Sequence, residues 1–258
     1  LFNLAWGDAV IVAPESIDDI KQTPIGTGAF KFDDWSQGDR ITLSRYEDYW
    51  GEAPALEAAT FQFISDPTAA FAAVMAEDVD VFAGFPAPEN IPQFEADPRF
   101  QVLVGSTEGE TILAMNNKTP PFDNAKVRQA VTHAIDRQAI IDGAMFGLGT
   151  PIGTHFAPHN PDYVDLTGMS GHDPEKAREL LAEAGFEDGF ETTPHLPPPS
   201  YARRRGEIIA AQLAEAGLPA DITPVDWAHW RETDVHGKEF GRTIRTPNDP
   251  ESTDPRRQ

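Results

Sequence analysis

Pro24-Ile25-Gly26-Thr27-Gly28-Ala29-Phe30-Lys31-Phe32, continued by Trp35, Gly38-Asp39, Ile41-Thr42-Leu43-Ser44-Arg45-Tyr46 and Tyr49-Trp50-Gly51, is the stretch on which the reading of this chain turns. The glycines after Pro24 allow a tight backbone bend. Phe30 and Phe32 then alternate with charge, and Ile41 to Tyr46 alternates in the same way, which is the period of a half-buried strand. Gln37-Gly38-Asp39 between them is a hairpin signal. The stretch predicts two antiparallel strands closed by aromatic bulk and a turn at Gly51.

Downstream, Thr60 to Ile64 alternates and predicts a strand. Asp66-Pro67-Thr68 predicts a helix start, with Asp66 as cap and Pro67 at the first helical position. That helix carries Ala70, Phe71, Val74 and Met75. Val79-Asp80-Val81-Phe82 predicts another short strand ending at Gly84. Strand, helix and strand in this order are the crossover unit of an α/β sheet.

Thr111 to Met115 predicts a strand, and Thr119-Pro120-Pro121-Phe122-Asp123-Asn124 a break, because proline there forbids a helix. From Ala125 the apolar residues Val127, Ala130, Val131, Ala134 and Ile135 fall on one helical face. Asp136 is placed to cap a second helix carrying Ile140, Ile141 and Ala144. Asp173-Pro174-Glu175 opens another, with a buried stripe of Ala177, Leu180, Leu181 and Ala184 stopped by Gly185. After the proline-rich run Pro194 to Pro199 comes a final helix with Ile208, Ile209, Leu213 and Ala216. It stops at Gly217, and Asp221 to Val225 follows as a candidate edge strand. From Gly237 the pattern dissolves into a polar, proline-rich tail, expected to be poorly ordered.

Composition limits what such a chain does. Forty-two acidic against 20 basic residues give a net charge of −22, which repels phosphate backbones and argues against nucleic acid as a partner. Salt adaptation and ordinary acidic solubility both fit that charge. There is no cysteine, so disulfides, thiolate metal sites and cysteine nucleophiles are excluded. The sequence opens on Leu1-Phe2-Asn3-Leu4 without Met or a basic leader, which reads as a fragment or a processed product.

Three local patterns suggest chemistry and fall short of it. Gly26-Thr27-Gly28-Ala29-Phe30-Lys31 starts like a dinucleotide loop, but Lys31 occupies the third glycine's place and a strand follows where a phosphate cradle needs a helix. His155 and His159 have metal-friendly spacing, yet Pro158 separates them and no carboxylate completes a set, so no metal site is expected. Gly168-Met169-Ser170-Gly171-His172 nearly spells a nucleophile elbow, with His172 in place of the closing glycine. No catalytic residue and no cofactor are assigned. The aromatics Trp6, Trp35, Tyr46, Tyr49, Trp50, Phe85, Trp227 and Trp230 suit either a core or a cleft for small solutes.

The opening stretch resembles a signature of family 5 solute-binding proteins of ATP-binding-cassette (ABC) importers, which carry dipeptides, oligopeptides, nickel chelates and some sugars. The resemblance continues through Ile64-Ser65-Asp66-Pro67-Thr68 with Val79-Asp80-Val81, and through Asn116 to Pro120-Pro121-Phe122. It includes Val127-Arg128-Gln129-Ala130-Val131, Ala134-Ile135-Asp136-Arg137 and Asp173-Pro174-Glu175-Lys176-Ala177 with Leu180-Leu181, covering roughly residues 1 to 235. It implies an α/β, two-lobe fold of the periplasmic binding protein kind (type II, cluster C), incomplete and truncated at both ends. Residues 1–110 would belong to lobe one, 111–240 to lobe two, and 241–258 to the tail.

The resemblance further implies a monomeric carrier, not an enzyme. It would sit in the periplasm or be lipid-anchored at the cell surface, and would close on a small solute such as a peptide and deliver it to permease subunits. Gly84, Phe85 and Asn116, near the lobe boundary, are the candidate substrate-binding residues. An α/β hydrolase and a remnant without binding activity are the alternatives.

Overall fold

The computed structural model describes residues 10–198, 200–230, 232 and 242–245. The chain divides into two compact units, Leu1–Phe85 and Pro86–Gln258.

The first unit is built on the expected hairpin. Strands β1 (Phe30–Ser36) and β2 (Arg40–Arg45) run antiparallel, and β3 (Ala58–Gln62) adds to the far side of β2. Gly38 turns the hairpin at φ +79°, a conformation that L side chains resist. Trp35, Ile41 and Phe61 form one cross-strand row, and Phe32, Leu43 and Ala59 the next. β1 starts at Phe30, where the alternation begins; upstream, Ile25 and Gly26 face the Val12–Ala13 backbone, and Ala13 N donates to Ile25 O at 2.8 Å.

Helix α1 (Pro67–Met75) begins as its sequence requires, with Asp66 accepting from Ala69 N at 2.7 Å. The strand expected over Val79–Phe82 does not form. A strand needs a ladder partner for its backbone, and no described segment supplies one there; Val81 is left 85% exposed. Hence the predicted strand–helix–strand crossover is a strand and helix followed by an irregular segment.

The second unit holds the hydrophobic core. Helix α3 (Ala125–Ala134) presents Val127, Ala130, Val131 and Ala134, and α5 (Pro174–Glu183) presents Ala177, Leu180 and Leu181. The small alanines, all fully buried, let the two helices approach closely. Helix α6 (Ser200–Glu215) adds Ile209 and Leu213, and Ala216 and Leu218 extend the cluster. Phe122, Phe186 and Phe190 close one end edge-to-face, at centroid separations of 5.0 and 6.0 Å.

Between α3 and α4 (Arg137–Met145), the Gln212 side chain accepts from Asp136 N and donates to Asp136 O, at 3.1 and 3.3 Å. The backbone at the break is thereby satisfied from α6. Asp136 and Asp173 cap α4 and α5 through Ala139 N and Lys176 N. A short helix α2 (Ile91–Glu95) precedes this core, and α7 (Trp227–His229) follows it.

Beside the helices lies a mixed four-stranded sheet. It contains β4 (Ile112–Met115), β5 (Pro194–Leu196), β6 (Thr223–Pro224) and β7 (Arg242–Arg245), in the order β4-β7-β5-β6. β6 is the edge strand its sequence suggested. Two strands were not expected. β5 lies in the proline-rich run, where Pro194 sits at the strand's first residue and so removes no interior donor. β7 falls within the expected tail, pairing antiparallel with β4 and parallel with β5. The rest of 241–258 lies outside the described residues.

Gly189 is where the core tolerates no side chain. A Cβ there would stand 1.8 Å from Gly217 O, and its φ is +72°. Gly185, at φ +87°, faces open space. Gly189→Ala is therefore expected to cost about 2–4 kcal/mol and Gly185→Ala about 1 kcal/mol, the difference being steric overlap. Paired chemical denaturation of the two variants measures it.

Candidate functional site

The three residues singled out from the sequence fall in different units. Gly84 and Phe85 end the first. Gly84 is exposed and turns the chain at φ +63°; without a Cβ its backbone is open to close approach. Phe85 is half-buried and meets Phe82 edge-to-face at 5.5 Å. Asn116 belongs to the second unit, immediately after β4. Its Oδ1 accepts from Lys118 N at 3.1 Å and its carbonyl from Thr119 N at 3.1 Å. This Asx turn fixes the side chain where the strand ends.

Two carboxylates near β4, Glu108 and Glu110, were not singled out from the sequence. Glu110, half-buried just before the strand, meets His155 Nδ1 at 3.2 Å, and Glu108 meets His159 Nε2 at 2.9 Å. Burial pushes the Glu110 carboxyl above its ordinary value, and the hydrogen bond to His155 pulls against that. The two histidines thus engage separate carboxylates. Among the described residues no group of three or more His, Asp or Glu converges to hold a metal.

At the N-terminal half of α6, Arg204 grips Glu89 through two hydrogen bonds of 2.8 and 2.5 Å, and Arg205 reaches Thr111 Oγ1. Glu89 and Arg204 are 115 positions apart, so no local pattern could have announced the pair. The Arg204 hydrogen bonds hold the Glu89 carboxyl below its ordinary value, and Glu89 raises that of Arg204.

The near-elbow at Ser170 is not a nucleophile site. Thr167–Ser170 is a single turn of 3-10 helix, not a strand-to-helix corner. Arg137 holds both the Ser170 carbonyl and its hydroxyl, at 2.9 and 3.2 Å. His172 Nδ1 lies 3.8 Å from Asp136 Oδ2, and that carboxylate caps α4 through its other oxygen.

Of the aromatics, Trp230 is buried, Trp50 is exposed with its Nε1 donating to Thr27 O at 3.0 Å, and Trp6 lies outside the described residues. Among the described residues, open depressions include the following two. One, of about 260 Å³, lies among Glu15, Asp19, Ile25 and Phe32; the other, of about 400 Å³, lies among Pro151, Pro158, Tyr163 and Asp165.

A family model described as bacterial extracellular solute-binding proteins, family 5 Middle, matches residues 4–254, and the chain belongs to that family. It is 31% identical over 245 residues to heme-binding protein A of Haemophilus influenzae, covering 92% of this chain and 44% of that protein. It is also 31% identical over 244 residues to glutathione-binding protein GsiB of Escherichia coli strain K12, covering 91% and 46%.

Among solved structures, it resembles the ABC transporter-associated periplasmic binding protein DppA from Helicobacter pylori in complex with peptide STSA. The TM-score is 0.80 and the identity 25%, over 95% of this chain and 49% of that one. The dipeptide binding protein from Pseudoalteromonas sp. SM9913 in complex with Met-Leu shares the fold, with a TM-score of 0.79 and 24% identity over 96% and 52%. The fold is therefore the α/β type II periplasmic-binding-protein fold, and the chain spans about half the length of the curated relatives it matches. The family is one of binding proteins, not enzymes. Among the described residues no helix is long and apolar enough to cross a membrane.

The Glu89–Arg204 pair sets a pH dependence. A carboxyl held below its unfolded value contributes stability above that value and loses it as pH falls through the lowered one. Both side chains are about a third exposed, so screening keeps the contribution to about 1 kcal/mol. Glu89→Gln is expected to lower stability by that amount at neutral pH. The difference from the parent chain is expected to shrink as pH falls through the lowered Glu89 value and to vanish below it, where Glu89 is protonated in both states. Urea titrations at several pH values measure this.

Proposed function

We propose that the chain is part of the solute-binding component of an ABC importer. It captures peptides or similar small solutes by closure of two lobes and delivers them to a membrane permease. The observation that carries this reading is the family match over residues 4–254. The names of the relatives support the solute class: one is a glutathione-binding protein, and a structural neighbour holds the peptide STSA. No bond is made or broken. Affinity comes from buried apolar contact and a few oriented polar groups. The component acts as a monomer, in the periplasm or lipid-anchored at the cell surface; the family's extracellular description supports that location.

Gly84, Phe85 and Asn116 are the residues we assign to solute contact. The open backbone at Gly84 suits close approach of a ligand, Phe85 offers an apolar ring, and the Asn116 amide has the complementary groups for a peptide bond. A thermal-shift series with mixed dipeptides, glutathione and hemin, on this chain and on a version extended to the relatives' length, tests the reading. A solute at ~100 times its Kd stabilises by about 2.7 kcal/mol, a rise of several degrees. Response of the longer version alone makes the 258 residues by themselves a part without binding activity; response of neither sinks the solute-binding reading. In the responding version Asn116→Ala is expected to weaken binding about tenfold, about 1.4 kcal/mol. Asn116→Asp, which keeps the turn acceptor, separates loss of the amide donor from loss of the turn.

A further inference from the structure

The chain has seven histidines, and four of the described ones meet a nearby oxygen. His133 Nδ1 lies 2.9 Å from Gly171 O, His155 and His159 meet Glu110 and Glu108, and His172 Nδ1 lies 3.8 Å from Asp136 Oδ2. The other described pair, His195 and His229, is brought ring to ring. The two centroids are 5.8 Å apart and the ring planes are inclined at 63°.

The fold of the second unit fixes both rings. Pro194 and Leu196 are buried, so His195 between them projects from the opposite face of β5. Parallel pairing with β6 places Thr223 beside it. Val225 N donates to Leu196 O at 3.0 Å, which brings the start of α7 next to the end of β5. Asp226 caps α7 by accepting from His229 N at 2.8 Å, and the next residue, Trp230, is 1% exposed. A strand ladder thus holds one imidazole, and a helix cap with a buried indole anchor holds the other.

We infer that His195 and His229 form a two-imidazole site for a divalent transition cation such as Zn2+. An ion bonded to a ring nitrogen at about 2.0–2.1 Å stands about 3.2 Å from the centre of that ring. Two imidazoles sharing an ion therefore have centroids between about 4.5 Å, at right angles, and about 6.4 Å, opposite one another. The observed 5.8 Å lies inside that range. Imidazole nitrogen suits zinc, nickel and copper, whereas magnesium and calcium take oxygen donors. Among the described residues no third His, Asp or Glu completes the group. The remaining positions on the ion then go to water or to the donor atoms of a small chelating molecule. The net charge of −22 gathers cations around the chain without choosing among them; the two imidazoles supply the choice.

Calorimetric titration of Zn2+ into the untagged 258-residue chain tests the site. One ion per chain is expected to bind above the weak background that Mg2+ gives on the acidic surface. His195→Gln and His229→Gln are each expected to weaken that binding about tenfold or more, and His155→Gln and His159→Gln to change it less than about twofold. His229 is exposed, so His229→Gln is expected to keep the melting temperature of the metal-free parent. Saturating Zn2+ then raises the parent's melting temperature by several degrees and leaves that of His229→Gln in place. Zn2+ binding no stronger than the Mg2+ background overturns the proposal. So does unchanged affinity in either His195→Gln or His229→Gln, or an equal loss in His155→Gln or His159→Gln. Every titration is made without solute, so failure here leaves the solute-binding reading standing.

Discussion

The seam between α3 and α5 is the contact on which the second unit depends. Ala130, Ala134 and Ala177 are small enough to bring the helix backbones together, and Val127, Val131, Leu180 and Leu181 fill the space beside them. Helix α6 closes the seam with Ile209 and Leu213, and its Gln212 reaches back to satisfy the Asp136 backbone between α3 and α4. Apolar burial thus supplies the driving force, while one amide at the helix break removes the cost of an unpaired N–H and C=O. The mixed sheet has little core of its own; Leu196 is its contribution to the buried cluster.

The first unit obeys a different rule. Its hairpin and capped helix are specified by local chemistry, namely Gly38, Asp66 and Pro67, and they form without a shared core beneath them. Local signals fix turns and caps cheaply, but they do not remove aromatic surface from water. The exposed rows on the sheet follow from that difference.

The candidate site shows the same division between local and non-local causes. The turns at Gly84 and Asn116 are the kind of feature a sequence announces, through a glycine after an apolar run and an asparagine at a strand end. The ion pair Glu89–Arg204 and the contacts Glu108–His159 and Glu110–His155 join positions far apart along the chain, and no periodicity marks them. His155 and His159, whose spacing alone is metal-friendly, each meet a different carboxylate. The Ser170 motif fails for a related reason, since Arg137 occupies the hydroxyl that an elbow would expose.

By itself the sequence determined the helix starts at Asp66, Asp136 and Asp173, the stops at Gly185 and Gly217, the hairpin at Gly38 and the buried face of α3. Each depends on residues within one or two turns of one another, where capping, φ preference and helical period act. The same short-range signals, in order, carried the resemblance to the family. Only the tertiary structure decided which extended segments become strands. Pro194–Leu196 and Arg242–Arg245 do, despite unpromising composition, because β7 joins β4 and β5 across long stretches of chain. Val79–Phe82 does not, despite a favourable pattern, because a strand exists only with a backbone partner, and partnership is settled by the fold, not by the strand's own residues.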